Sequence, residues 1–234
     1  MDHHVREVID ECDIVIEVVD ARDVEGTRSR KLESLVRRKG KILVFVVNKK
    51  DLVKSVKLPQ GRVVLMSATK RQGTRALRAM IHACCPGKEE VRVGLVGYAN
   101  TGKSTVINAL GGGARTSNKP GSTRGKQWLR VTKRIILLDS PGIIPREEGE
   151  AKLAIKGAFD VTKLKDPIGA ALKLIKKVGS KPIAKAYGAE PFEDPYEQLE
   201  ELAGKWMMLR KGAELDLDRA AKRLIKNWQT GKIK

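Results

Sequence analysis

The sequence has few cysteines and no long apolar run. The three cysteines among its 234 residues, Cys12, Cys84 and Cys85, show no C-x-x-C spacing, which argues against a disulfide framework and a zinc site. The longest apolar run, residues 42–47, is far shorter than the ~20 residues that span a bilayer. The N-terminus lacks both a secretory hydrophobic region and a transit-peptide composition. We therefore expect a cytoplasmic protein without a membrane segment.

Acidic residues are outnumbered by basic ones. The chain has 47 Lys and Arg against 28 Asp and Glu, a formal net charge of +19. Such an excess attracts polyanions whatever their sequence, so nucleic acid is the expected partner. An anionic membrane surface is the alternative, but the charge is spread along the chain and not placed beside an amphipathic anchor.

The pattern of apolar residues divides the chain into two parts. Up to about residue 142, short β-branched runs alternate with helical patterns, which predicts an α/β fold with a six-stranded, mostly parallel sheet. Beyond about residue 161 the period is helical throughout, which predicts a small all-α domain. We place the domains at 1–160 and 161–234. The predicted strands are 14–19, 42–47, 63–66, 91–96, 127–131 and 134–138.

The segment GYANTGKS at 97–104 matches the phosphate-loop pattern G-x-x-x-x-G-K-[ST], directly after a predicted strand and before a predicted helix. Its backbone N–H groups can surround a β-phosphate, Lys103 can contact the β- and γ-phosphates, and Ser104 can bind Mg²⁺. The residues predicted here to bind the nucleotide are Gly97, Asn100, Thr101, Gly102, Lys103, Ser104 and Thr105.

A second phosphate motif is expected at residues 139–142, DSPG, which follow the apolar strand 134–138. The ligand crevice of a parallel sheet lies at the carboxyl ends of its strands. Asp139 is therefore predicted to hold Mg²⁺ through water, and the N–H of Gly142 to contact the γ-phosphate. By itself, D-x-P-G signals only a turn.

Two further motifs predict recognition of guanine. Asn48, Lys49 and Asp51 lie in the segment NKKD at the end of the most apolar strand. The Asp51 carboxylate can accept hydrogen bonds from guanine N1–H and the exocyclic amine, which adenine cannot offer. The Lys49 stem can lie along the base and Asn48 can brace the loop. The small residues Ser67, Ala68 and Thr69 follow the next strand, and their N–H groups can reach guanine O6.

The order of these motifs is unusual, because the base motifs at 48–51 and 67–69 precede the phosphate loop at 97. A GTP-binding domain ordinarily has them afterwards. Joining the old termini and opening the chain before the strand at 14–19 would give this order and leave the sheet unchanged. We conclude that the domain is circularly permuted.

Together with the segment DARD at 20–23, LDRAA at 217–221 and Thr123 in PGST, this motif order resembles the circularly permuted GTPases of the YlqF/RbgA family. The resemblance covers nearly the whole chain. It implies a GTPase domain followed by a helical RNA-contacting domain, acting in maturation of the large ribosomal subunit. The chain lacks the family's Gly-His-Met segment, and we interpret its N-terminus, with His3 and His4, as frayed and solvated.

The resemblance also assigns residue roles. It implies that Thr123 is the Mg²⁺-binding switch residue and that Asn100 coordinates potassium, so Lys103, Asn100 and Thr123 are the expected catalytic residues. Ile143 stands where efficient GTPases have a water-orienting glutamine, so intrinsic hydrolysis should be slow and depend on a ribosomal particle or K⁺.

RNA contact is expected from the stretch 115–134, which has seven Lys and Arg and no acid. The basic face of the last helix is either a second RNA contact or an ordinary solvated face. The expected partners are GTP or GDP and the large ribosomal subunit with its rRNA, and we expect a monomer off the ribosome. The alternative function is a guanine-nucleotide-gated RNA-binding adaptor that hydrolyses GTP only incidentally.

Overall fold

A computed structural model describes residues 3–111, 127–139 and 148–233 of the chain. The chain divides into two compact units, Met1–Pro145 and Arg146–Lys234. The first contains the sheet and the second is helical in its described residues. No helix in the described ranges is both long and apolar enough to cross a bilayer.

The predicted six-stranded, mostly parallel sheet is confirmed. Its strand order is β3-β2-β1-β4-β6-β5, and all neighbouring strands are parallel except β5 and β6. The bounds are β1 Ile14–Asp20, β2 Ile42–Asn48, β3 Arg62–Leu65, β4 Val91–Val96, β5 Gln127–Arg130 and β6 Ile135–Asp139. Numbered from β4 as the first strand, the order becomes 6-5-4-1-3-2, that of a doubly wound sheet with its switch point between β4 and β1.

Five α-helices of the first unit are described: α1 His3–Glu11, α2 Val24–Thr27, α3 Arg30–Arg38, α4 Thr74–Cys84 and α5 Lys103–Leu110. A short 3₁₀ helix, Lys50–Leu52, follows β2. Alternate residues of β1 face opposite sides of the sheet. Ile14 and Ile16 pack in the cluster that contains residues of α4 and α5, whereas Val15 packs in the cluster that contains residues of α1 and α3. Both faces of β1 are therefore covered, which explains its near-continuous apolar sequence.

The expectation of a frayed N-terminus is wrong for the segment that α1 forms. Val5, Val8 and Ile9 of this helix are buried, and Val5, Val8, Ile9 and the following Cys12 pack with Leu32 and Val36 of α3. The apolar residues recur at i, i+3 and i+4, so one side of the helix can be buried while its other residues stay exposed.

The second unit has helices α6 Glu150–Ile155, α7 Pro167–Val178, α8 Ser180–Tyr187, α9 Pro195–Lys205 and α10 Leu217–Gln229. The predicted starts of α7 and α9 agree with the structure, since Asp166 accepts from the Gly169 N–H and Asp194 from the N–H groups of Tyr196 and Glu197. The predicted stop of α9 at Gly212 is wrong. This helix ends at Lys205, and the chain turns at Met207 with φ +52°.

The division between the units falls after residue 145, whereas the sequence indicated a boundary after residue 160. The reason is that α6 belongs to the helical core. Trp228 Nε1 donates to the Ile155 carbonyl at 2.9 Å, and Gln229 Nε2 donates to the Ala154 carbonyl at 2.8 Å. The apolar period of this six-residue helix is too short to assign it from sequence.

Candidate nucleotide-binding site

The predicted base and phosphate motifs meet at the carboxyl edge of the sheet. The 97–104 loop follows β4, the 48–51 segment follows β2, and the 67–69 segment follows β3. Because β4 and β1 flank the switch point, the loop after β4 lies where doubly wound sheets open a ligand crevice. The structure thus brings together segments whose contacting residues lie as many as 53 positions apart in the sequence.

The phosphate loop depends on two glycines. Gly97 has φ +147° and Gly102 has φ +96°, values that favour glycine. A Cβ atom at Gly97 would lie 2.4 Å from the Val18 carbonyl oxygen, and one at Gly102 would lie 2.3 Å from Asn48 Nδ2. Strand β1 and the base motif therefore press against the loop closely enough that only glycine fits.

Lys103 and Thr101 make hydrogen bonds within the loop. Lys103 Nζ donates to the carbonyls of Gly97 and Tyr98 at 3.1 and 3.0 Å, and the Thr101 hydroxyl donates to the Tyr98 carbonyl at 3.0 Å. Lys103 is 7% exposed. These contacts hold the ammonium group over the loop, where it can meet phosphate oxygens.

Asn48 joins the base side of the site to the phosphate side. Its Nδ2 donates to the Thr101 carbonyl at 2.9 Å, and its Oδ1 accepts from the Ala68 N–H at 3.0 Å. The side chain is buried, so both bonds are shielded from water. The sequence-based expectation that Asn48 braces the loop thus agrees with these contacts.

Lys49 makes a second link to the phosphate loop. Its Nζ donates to the Asn100 carbonyl at 2.6 Å and to Asp20 Oδ2 at 2.8 Å. Arg22 holds the same carboxylate through Nε and Nη2 at 3.0 and 2.7 Å. Lys49 and Asn100 both have left-handed backbones, with φ +63° and +61°. The ends of β1 and β2 and the phosphate loop therefore share one network of charged hydrogen bonds.

The charges of this network depend on one another. Burial raises the pKa of the Asp20 carboxyl, but Lys49 and Arg22 outweigh burial and hold that pKa well below its usual 3.8. Burial also lowers the pKa of the Lys49 ammonium from 10.5, and the Asp20 carboxylate opposes this effect. Removing the Asp20 charge would leave two cations side by side in a largely buried place.

Asp51, the predicted base reader, is held by a hydroxyl. Ser67 Oγ donates to Asp51 Oδ1 at 2.6 Å, and the Asp51 side chain is 16% exposed. One carboxylate oxygen is thereby oriented, and the group remains accessible enough to pair with a base. The Ala68 N–H is engaged with Asn48, whereas Thr69 is exposed at the end of the loop. Contact of this segment with guanine O6 stays a prediction.

The proposed magnesium ligands are described in part. Ser104 and Thr105 lie in the first turn of α5, both partly buried. Asp139 is the last residue of β6 and pairs with Leu95, two residues before the phosphate loop, so its backbone lies at the same edge. Thr123, Gly142 and Ile143 lie outside the described residues. Within the described ranges no group of three or more His, Cys, Asp or Glu could hold a metal. A hydroxyl, one carboxylate and phosphates are nevertheless a sufficient ligand set for Mg²⁺.

Sequence reasoning assigned no role to Asp20 or Arg22, although the segment DARD begins at the last residue of β1. Their position could have indicated a role, because Asp20 and Arg22 lie at the end of β1, a buried strand next to the strand that leads into the phosphate loop. The pair of Asp20 with Lys49 could not be predicted, because the two residues lie far apart along the chain. The parallel pairing of β1 with β2 brings them together.

The chain is similar to known GTPases and GTP-binding proteins. Residues 92–191 match the family described as "50S ribosome-binding GTPase". An uncharacterized GTP-binding protein of Methanocaldococcus jannaschii is 42% identical, and the match covers 98% of this chain and 65% of that protein. Nuclear/nucleolar GTPase 2 of Arabidopsis thaliana is 33% identical over 97% of this chain and 42% of its own length. The chain thus spans less than two thirds of either relative.

Among solved structures, GNP-bound YlqF from T. maritima matches with a TM-score of 0.65 and 24% identity, covering 97% of this chain and 92% of that one. The GDP-bound form matches with a TM-score of 0.66. These likenesses confirm the fold that the motif order predicted.

Proposed function

This chain has the fold and the permuted motif order of the YlqF-type GTPases. We propose that the protein binds GTP with Mg²⁺ and hydrolyses GTP as a switch in assembly of the large ribosomal subunit. The observation that carries this proposal is the Asn48 bridge. This one buried side chain joins the phosphate loop at Thr101 to the base loop at Ala68. A site that binds the base and the phosphates of one nucleotide requires such a link.

Each end of the nucleotide has its partners in this proposal. The Asp51 carboxylate, oriented by Ser67, accepts from guanine N1–H and the exocyclic amine, and the Lys49 stem lies along the base. Lys103 and the loop N–H groups neutralise the phosphate charge. Ser104, Asp139 and Thr123 would hold Mg²⁺, which supplies Lewis-acid stabilisation of the transferred phosphoryl group, while the Gly142 N–H contacts the γ-phosphate.

We further propose that turnover is slow without an activator. The side chain of Ile143 has no hydrogen-bonding group to orient the attacking water. Asn100, in a left-handed conformation within the phosphate loop, is proposed to coordinate potassium. Equal hydrolysis rates in potassium and sodium buffers would remove that role from Asn100.

The partner proposed is the large ribosomal subunit through its rRNA. Support comes from the net charge of +19 and from the names of the matched family and of the nucleolar relative. The GTP form is proposed to bind the particle and the GDP form to leave it. Equal affinity of the two forms for the subunit would contradict the switch.

The decisive test is GTP turnover in potassium buffer, with and without purified large ribosomal subunits, with Lys103→Ala as the blank. Stimulation by subunits that the blank lacks supports a subunit-activated GTPase. Nucleotide binding without stimulation favours either the alternative, a guanine-nucleotide-gated RNA adaptor, or an immature subunit as the partner. Its own test compares RNA affinity in the GTP and GDP forms at equilibrium.

A further inference from the structure

The first unit carries a basic groove that includes none of the nucleotide motifs. We call it the α3 groove, an open depression of about 420 Å³ between α1 and α3. None of the described residues that line it carries a carboxylate. Its lining residues are Arg6, Arg30, Lys31, Ser34, Leu35 and Arg38.

The sequence of α3 places its cations on the outer face. Leu32, Glu33 and Val36 are buried, and Leu35 packs partly against the same apolar cluster, so the remaining side chains of the helix point outward. Arg30, Ser34 and Arg38 follow one another at i, i+4 and i+8, and all three are exposed. Such a row is about 12 Å long at ~1.5 Å per residue. The helix thus presents guanidinium and hydroxyl donors in a line.

The sheet fixes this helix at its N-terminal end. Glu17 of β1 accepts from the Ser29 N–H at 2.6 Å, and Ser29 caps the helix by accepting from the Leu32 N–H. Arg28 makes two hydrogen bonds of 2.9 Å to Glu33, and its guanidinium lies 5.0 Å from the centre of the Phe45 ring. The groove wall is therefore rigid before any ligand binds, which lowers the entropic cost of binding.

Three acids on or next to these elements pair with cations. Glu33 is buried and holds Arg28, Glu25 pairs with Arg28 and Arg30 at 2.6 and 2.7 Å, and Asp10 of α1 pairs with Lys39. Residues 28–39 contain six Lys and Arg and one acid, a net charge of +5. Helix α1 adds Arg6 but also three acids, so the positive charge of the groove comes from α3 and from Arg6.

We propose that the α3 groove binds successive phosphates of an RNA backbone. This inference rests on the proposed function, since it takes RNA as the partner and adds a contact surface on the GTPase unit. Arginine offers phosphate a planar fork of donors, and hydroxyls such as that of Ser34 complete phosphate contacts. A membrane fits less well, because the groove's single apolar lining residue, Leu35, is partly buried and anchoring needs an apolar face.

The test compares two triple variants of the full chain that lose the same charge. The groove variant carries Arg6→Gln, Lys31→Gln and Arg38→Gln. The control variant changes three exposed cations before and at the start of β3: Lys54→Gln, Lys57→Gln and Arg62→Gln. Affinity for a labelled 20-base-pair RNA duplex is measured from 50 to 300 mM KCl. Guanine-nucleotide binding, which neither variant should change, reports that both are folded.

We expect the groove variant to bind the duplex about tenfold more weakly or worse at 100 mM salt. The plot of log affinity against log salt concentration should become shallower, with a slope smaller in magnitude by about two to three. Each lost phosphate contact reduces the magnitude of this slope by about 0.9. The control should change less than threefold. Equal losses in both variants, or an unchanged groove variant, would overturn the inference alone. Failure of the wild-type chain to bind RNA would overturn it together with the proposed RNA partner.

Discussion

Asp20 should determine whether the nucleotide site keeps its shape, and Asp20→Asn tests this with almost no change in volume. The carboxylate accepts from Lys49 Nζ at 2.8 Å and from the backbone N–H, Nε and Nη2 of Arg22 at 3.0, 3.0 and 2.7 Å. Side-chain exposures are 8% for Asp20, 6% for Arg22 and 21% for Lys49. The ion pairs are therefore shielded from water.

The expected magnitude follows from these contacts. An asparagine keeps one acceptor oxygen but places an NH₂ group where Oδ2 receives Lys49 and Arg22. Two charge-assisted hydrogen bonds are lost at ~1.5–3 kcal/mol each, and two cations remain uncompensated. We predict that the free energy of unfolding of the first unit falls by about 3–5 kcal/mol, the usual cost of breaking a buried ion pair. Affinity for guanine nucleotide should fall as well, because Lys49 then no longer holds the Asn100 carbonyl firmly.

The pH dependence gives a second readout. The pKa of Asp20 is lowered in the folded state, so its stabilisation is complete above the unfolded value of about 4 and is lost as pH falls through the folded value. The advantage of the wild-type chain over Asp20→Asn should therefore be about 1 kcal/mol smaller at pH 3 than at pH 7.

Peptide-resolved hydrogen exchange is the suitable assay, because a chain with two units need not unfold in one step. Peptides from β1 and β2 report on the first unit, and peptides from α7 and α10 serve as an internal reference. The control variant is Asp10→Asn, whose pair with Lys39 is exposed and should contribute at most ~1 kcal/mol. A loss in Asp20→Asn no larger than in the control, and equal at both pH values, would refute the reasoning.

Three further predictions concern the same unit. Asn48→Ala removes the acceptor of the Ala68 N–H and the donor to the Thr101 carbonyl. It should weaken GTP and GDP binding alike and lower the free energy of unfolding, measured in urea, by about 2–4 kcal/mol. Weaker binding of only one of the two nucleotides would contradict the bridging role. In competition titrations, Asp51→Asn should lower GTP affinity at least ~100-fold and improve binding of xanthosine triphosphate, whose 2-carbonyl accepts a hydrogen bond from an amide. Unchanged GTP affinity would show that Asp51 does not recognise the base. Glu17 is buried, and burial raises its pKa to about 8. The wild-type chain should therefore lose stability as pH rises from about 4.5 to 8, and Glu17→Gln should gain on the order of 3 kcal/mol relative to it between pH 5 and pH 8. Parallel curves of stability against pH for the two chains would show that Glu17 titrates normally.

The sheet could be predicted from the sequence because its strands are buried on both faces. A buried parallel strand is a continuous apolar run, as residues 42–47 show, and β2 begins at the predicted residue. The helix ends were predictable where a side-chain cap marks them, as at Asp166. The end of α9 was not, because the chain turns at Met207, whose side chain gives no signal for a left-handed backbone.

The motifs of the site could also be located, because each follows a strand and so lies at one edge. Their mutual contacts could not be predicted. That Lys49 meets Asp20, and Asn48 meets both Thr101 and Ala68, depends on the register of β1 with β2 and on the close approach of β1 to Gly97. Local sequence holds no information on distances between residues so far apart along the chain.

The central place of β1 affects how a growing chain can fold. Ile14 of β1 pairs with Ile42 of β2 and with Val93 of β4, so the second partner is synthesised about fifty residues after the first. Until β4 emerges, an apolar strand has one open edge, the kind of surface that invites mispairing or chaperone binding. The phosphate loop directly follows β4, so it is made after both base motifs, and β5 and β6 are made later still. The base and phosphate motifs can therefore meet only after β4 has been made.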